Sequence, residues 1–167
     1  MARGSVKDKP LAPETSLERD ERGRVRRSLY ILALLVSLIG LSDAIYLTVH
    51  HLTGQSLRCT VTSGCDEVLQ SSYAVIGGIP LAAFGALAYF TVFSLSTLTL
   101  FGYKGARNLL TAVVAVMFAM TLWLLYLQAF VIHHYCQYCL LSAACTLALT
   151  AIVAADRFIR VDLKVNR

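Results

Sequence analysis

Apolar and polar positions along the chain separate into blocks instead of alternating. Four runs, Ser28 to His50, Ile79 to Phe101, Leu109 to Ile132 and Cys139 to Ala155, are almost wholly apolar, and the second and third carry no charge. Crossing a hydrocarbon core takes roughly 20 such residues in a helix, so each run predicts a membrane span. Backbone amides in lipid must be paired within the chain, which favours helices. The first run contains Asp43 and the fourth is the shortest. A bundle accommodates both, because a helix can turn one acid toward its neighbours.

The same blocks set the organisation. Residues 1–27 mix Arg, Glu, Asp and Pro with few apolar side chains, too little to bury a core, and predict a disordered cytoplasmic tail. Residues 28–155 form one four-helix transmembrane domain, and 156–167 a basic cytoplasmic tail. Between the first two spans, Val68-Leu69-Gln70-Ser71-Ser72-Tyr73-Ala74-Val75-Ile76 is mostly apolar and should lie against the bundle. Val68, Leu69, Tyr73 and Ile76 share a face at helical spacing. Gly77-Gly78 would end that segment, and Pro80 suits the first position of the next helix. The fold class is thus an all-α membrane protein, a four-transmembrane-helix bundle with an outward loop carrying a short amphipathic helix.

Charge adds orientation. Of the 15 Lys and Arg among 167 residues, all but Arg58 fall in the N-terminal tail, the link holding Lys104 and Arg107, or the C-terminal tail. The positive-inside rule then makes both termini cytoplasmic and places the 59–65 loop and the 136–139 turn on the outer face. The net charge of +5 is accounted for by topology, and no nucleic-acid partner is expected. The first run is too long for a signal-peptide core of about 7 to 15 residues and is read as a retained anchor.

Candidate chemistry lies in four cysteines. Cys136-Gln137-Tyr138-Cys139 is a C-x-x-C element whose second cysteine opens the fourth helix, where the positive end of the helix favours a thiolate. Cys59 and Cys65 form a wider pair in the outward loop. One reading ties loop to turn in a fixed extracytoplasmic staple. The sharper reading is a relay that passes electrons from an aqueous partner to the loop pair, then to the C-x-x-C at the bilayer. Cys145, on another face of the fourth helix, reads as a packing residue. His50-His51 and His133-His134 flank the same surface, but the first cysteine pair is spaced too widely for a usual zinc site and adjacent histidines diverge on a helix; no metal is expected. Asp43, Tyr46 and His50 share a face, and whether it carries protons or joins helices stays open.

In their order, these residues resemble the vitamin K epoxide reductase family in its bacterial form. The resemblance runs over roughly residues 28 to 155 and rests on Cys59 and Cys65, Asp66-Glu67-Val68-Leu69 leading to Ser71, Gly78-Ile79-Pro80-Leu81 with Phe84-Gly85, and Cys136-Gln137-Tyr138-Cys139. It implies a bundle around a quinone, ubiquinone or menaquinone, reduced by the C-x-x-C while the loop pair collects electrons from a separate DsbA-like, thioredoxin-fold partner. By position, Cys139 would face the quinone, Cys136 would exchange with Cys65, and Cys59 would meet the partner. Ser71 matches the family's loop serine or threonine that supports the quinone. Where the animal enzymes carry an Asn on helix two and a Tyr after the C-x-x-C, this chain has Leu81 and Ala143, so epoxide reduction is not expected. The four-helix DsbB proteins have the two cysteine pairs in the opposite order. The implied setting is a bacterial inner membrane. The alternative from another class is a metal-binding or disulfide-stapled structural membrane protein.

Overall fold

The computed structural model of the chain describes residues 14–54, 64–71 and 73–165. Its elements are α1 (Glu14–Thr53), α2 (Cys65–Leu69), β1 (Val75–Ile76), β2 (Ile79–Pro80), α3 (Leu81–Leu100), α4 (Lys104–Leu127), a π-helical turn (Gln128–Ile132) and α5 (Gln137–Val165). Four helices are long and apolar enough to cross a membrane, over Gly23–Thr53, Leu81–Leu100, Gly105–Ile132 and Gln137–Ile159. Each overlaps one predicted run. Helical backbone also continues upstream of Ser28 to Glu14, through a stretch of strong helix formers where Asp20 and Arg24 pair one turn apart at 3.5 Å.

Helix α1 packs on α3 and α5, and α4 packs on the same two, which sets α1 and α4 at opposite corners of a four-helix bundle. The core is narrow. Tyr30, Ala33, Ala44, Tyr89, Val92, Leu110, Val114 and Leu149 fill it, while Ile31, Leu35, Ile39, Leu87, Phe90, Val116 and Trp123 stay exposed. A soluble protein rarely presents so much apolar surface; a bilayer supplies the solvent it needs.

Two polar joints register the bundle. The Tyr89 hydroxyl lies 2.8 Å from the carbonyl oxygen of Ser142, 2.9 Å from Ser142 Oγ and 3.1 Å from Thr146 Oγ1, joining α3 to α5. Its ring crosses α1 so closely at Gly40 that a Cβ there would collide with it. Toward the other end, Arg26 of α1 meets the buried Asp156 of α5 at 3.1 Å.

The segment from 65 to 80 differs in detail from the single helical face expected for Val68, Leu69, Tyr73 and Ile76. Helix α2 spans five residues only. The Ser71 side chain then donates to the carbonyl of Val68 at 2.7 Å, a local bond that competes with helix continuation. Val75 pairs with Pro80 and Ile76 with Ile79, around Gly77 and Gly78 at φ +59° and +84°. Two consecutive positive φ values suit the tight hairpin turns that glycine accepts without strain. As a result Val68 is buried while Tyr73 and Ile76 face outward. Pro80 caps α3 instead of sitting in its first turn.

Candidate active site

Cys136 stands immediately before α5 and takes its N-cap position. Its carbonyl receives the N–H of Leu140 at 3.0 Å, and its Sγ receives the N–H of Cys139 at 3.5 Å. The first turn of any helix has unpaired N–H groups, and a side-chain acceptor at the cap satisfies one of them. Here that acceptor is sulfur. The Cys136 thiol is brought down to about 7, mainly by a hydrogen bond from the Cys139 thiol; burial opposes this, and the backbone N–H groups of Cys139 and Tyr138 reinforce it. The sequence placed the helix start at Cys139 and the favoured thiolate with it. Because α5 begins at Gln137, the capped thiol is Cys136.

Cys65 approaches from the first position of α2. Cys65 is 1% exposed and Cys136 is 0% exposed, and the two belong to one small cluster with Leu47 and Val68. Gly64 permits this approach, since a Cβ there would stand 2.6 Å from the Cβ of His134 and 3.0 Å from the backbone nitrogen of Tyr135. Cys65 is disulfide-bonded, whereas Cys136, Cys139 and Cys145 are free thiols. Cys59 lies outside the described residues. Cys145 is buried in the main core.

Below the cluster is a cavity of about 150 Å³, lined mainly by apolar side chains of α1, α3, α4 and α5 and roofed by Val68, Leu69, Ser71 and Ala74. Cys139 and Ser71 both line it, as do Leu81 and Ala143. Its few polar groups are Asp43 and His51 on α1, Tyr73 before the hairpin, Thr121 on α4, Gln128 at the start of the π-helical turn, and Ser142 on α5, beside Cys139 and Ser71. Among the described residues, no three His, Cys, Asp or Glu side chains are placed to hold a metal ion.

A profile of the vitamin K epoxide reductase family matches residues 31–154. The chain belongs to that family. Thiol-disulfide oxidoreductase LTO1 of Arabidopsis thaliana is 42% identical over 55 residues, which make up 32% of this chain and 15% of LTO1. The chain therefore matches only a small part of that relative's length.

In this member of the vitamin K epoxide reductase family, sequence reading passed over one residue that the structure puts at the centre. Gln128 is 3% exposed, lines the cavity, and accepts the N–H of Cys136 on its Oε1 at 3.4 Å. The π-helical turn that it opens widens the end of α4, a distortion frequent at functional sites, and His133 closes that turn in the left-handed region at φ +57°. The available signal was a lone amide in an otherwise apolar run. The histidines also divide. His51 lines the cavity, the ring of His50 lies tilted against that of Tyr46 with centroids 4.4 Å apart, and His133 and His134 are exposed.

Proposed function

We propose that this protein is a quinone-dependent thiol–disulfide oxidoreductase, one that reoxidises a DsbA-like, thioredoxin-fold partner and so supports disulfide formation outside the cytoplasm. One observation carries the reading: the two thiols of the C-x-x-C are divided between two surroundings. Cys136 is packed with Cys65, and Cys139 lines the cavity. A structural staple has no need of such a division. A relay does, since one sulfur must reach the loop and the other the electron acceptor.

The steps balance as exchanges of one disulfide for another. The partner's dithiol reduces the Cys59–Cys65 bridge and leaves as a disulfide. Cys65 then attacks Cys136 in the Cys136–Cys139 bridge, releasing Cys139, and Cys59 resolves the mixed disulfide by displacing Cys136. A thiol lowered to about 7 is a good leaving group in that last displacement. Cys136 and Cys139, now reduced, close their bridge again as two electrons and two protons leave for the acceptor.

The cavity suits a quinone head-group on the chemistry of its walls. Apolar side chains surround a small set of polar atoms, the usual make-up of a small-molecule site. Among these, Asp43 keeps a buried Oδ2 with no hydrogen-bond partner among the described residues, and the amide NH₂ of Gln128 is not engaged by the Cys136 contact, which uses Oε1. A quinone bound there would supply a two-electron sink, and Cys139 with the apolar walls of the cavity would hold it. Ubiquinone and menaquinone heads share this chemistry. The reading also places both termini in the cytoplasm of a bacterial cell and the cysteines on the outer face of its inner membrane, following the distribution of Lys and Arg.

The direct test mixes purified protein, a reduced DsbA-like protein and a short-chain quinone, and follows quinone absorbance. Loss of the quinone band that requires both the protein and the dithiol is the expected result. No turnover with either a benzoquinone or a naphthoquinone would overturn the reading.

A further inference from the structure

Asp43 is 7% exposed and lines the same cavity as Cys139, with its Oδ2 buried and without a hydrogen-bond partner among the described residues. An acid at membrane depth is costly and is normally paired or functional. The comparison within this chain is Asp156, buried like Asp43 but joined to Arg26 at 3.1 Å. Among the described residues no Lys or Arg lines the cavity around Asp43, so none of them forms a salt bridge there that would make the acid a clasp between helices. What lies beside it is chemistry. Cys139, His51 and Tyr73 share its cavity, and Tyr89 of α3 and Cys145 of α5 pack in the core with the neighbouring Ala44. The polar side chains that α4 and the π-helical turn give to the cavity are Thr121 and Gln128, neither of which titrates.

Closing the Cys136–Cys139 bridge must release two protons while the acceptor gains two. In a cavity walled by Ala44, Leu47 and Leu81, that traffic needs a side chain able to hold a proton. We propose that Asp43 is the catalytic proton carrier of the quinone step: it takes the thiol proton of Cys139 as that sulfur enters the disulfide, and delivers it to a quinone oxygen. This rests on the quinone reading given above. The balance is complete. Two S–H bonds break and one S–S bond forms, two electrons pass to the quinone, one proton travels through Asp43, and the Cys136 proton and the second quinol proton are exchanged with water. Asp43 ends the turnover as it began.

The test uses the full chain with its C-x-x-C reduced beforehand, mixed rapidly with a short-chain benzoquinone or menadione over a range of pH. Asparagine keeps the size of Asp43 and its polarity but cannot carry the proton. Asp43→Asn should slow quinol formation by about 100-fold, the usual scale for losing a general acid–base, while quinone still binds by fluorescence quenching and Cys65 still exchanges with Cys136 at the wild-type rate. A carboxyl infrared band that responds to quinone binding should be present in the wild type and absent from Asp43→Asn. Asp43→Glu should recover much of the rate with a displaced pH profile, which keeps the test valid should the Asn variant fail to fold. Wild-type rate and pH profile in Asp43→Asn, or an unmoved profile in Asp43→Glu, would sink the proposal. A wild-type protein that transfers nothing to either quinone would instead overturn the quinone reading, and this inference with it.

Discussion

The backbone N–H of Cys139 points at the sulfur of Cys136 across 3.5 Å, so the thiol proposed as a redox group also caps a helix. Its lowering to about 7 from an ordinary 9.0 is driven first by the hydrogen bond from the Cys139 thiol. Lowering favours the charged form, so the Cys136 thiolate is present above pH 7 and is lost below it. Thiolate ultraviolet absorbance, titrated in a Cys145→Ser background with the loop disulfide intact, should show a midpoint near that value. Cys139→Ala removes the thiol donor and should move the midpoint upward; an unmoved midpoint would mean that the cap and the helix end act alone.

Gly64 controls the approach of the loop. A Cβ at this position would meet His134 at 2.6 Å, and relieving such overpacking costs about 1–3 kcal/mol. The segment able to move is the one that carries Cys65 toward Cys136. In Gly64→Ala, exchange between loop and C-x-x-C should fall by about tenfold or more, whereas quinone reduction by a C-x-x-C reduced in advance keeps its rate. Rapid-quench alkylation separates the two steps, and equal slowing of both would point to general damage.

Tyr89 is the polar joint of the core. Its single hydroxyl proton serves Ser142 or Thr146, both within 3.1 Å, and Tyr89→Phe should cost about 0.5–1.5 kcal/mol. The loss should appear as a lower unfolding temperature in detergent. Gly40→Ala drives a methyl into the Tyr89 ring and should be worse. A Gly40→Ala, Tyr89→Ala double variant that is more stable than Gly40→Ala alone would identify that collision as the cause.

Much of this architecture is legible from the chain because the governing signals are coarse. Span length and apolar content define four helices whatever their packing, and the matched family region, residues 31–154, nearly coincides with the run from Ser28 to Ala155. Details set by competition between local bonds were less visible. Ser71 turns the chain after five helical residues by bonding to Val68, and Val75-Ile76-Gly77-Gly78-Ile79 is a hairpin signal, β-branched residues flanking two glycines, inside what reads as a helical face. The register of the C-x-x-C against α5 depends on where the π-helical turn ends, so sequence alone attached the favoured thiolate to Cys139. Gln128 draws its importance from a contact eight residues along the chain, which no periodicity displays.

Ser71 roofs the cavity, but its proton is directed at the Val68 carbonyl at 2.7 Å. Its oxygen is left as an acceptor, suited to a quinol hydroxyl more than to a quinone carbonyl. Ser71→Ala should therefore slow quinone reduction by about threefold to tenfold, the worth of one neutral hydrogen bond, and leave exchange with the thiol partner intact. Stopped-flow traces of the two half-reactions check this, with Ser71→Thr expected to restore the rate.

The relay itself predicts a species that a staple cannot form. Cys65 and Cys136 are packed in one cluster, and exchange between them passes through a mixed disulfide that is resolved by Cys59 from one side or by Cys139 from the other. Removing a resolving thiol should trap it. Cys139→Ala, and separately Cys59→Ala, should accumulate a Cys65–Cys136 bridge, visible as linked peptides in non-reducing mass spectrometry and absent once Cys65 is also replaced. Bridges of a structural staple would be fixed and indifferent to quinone. A wild-type protein whose cysteine pairing is the same with quinone and with reduced partner, together with no trapped bridge in either variant, would leave these cysteines a structural role and remove the redox one.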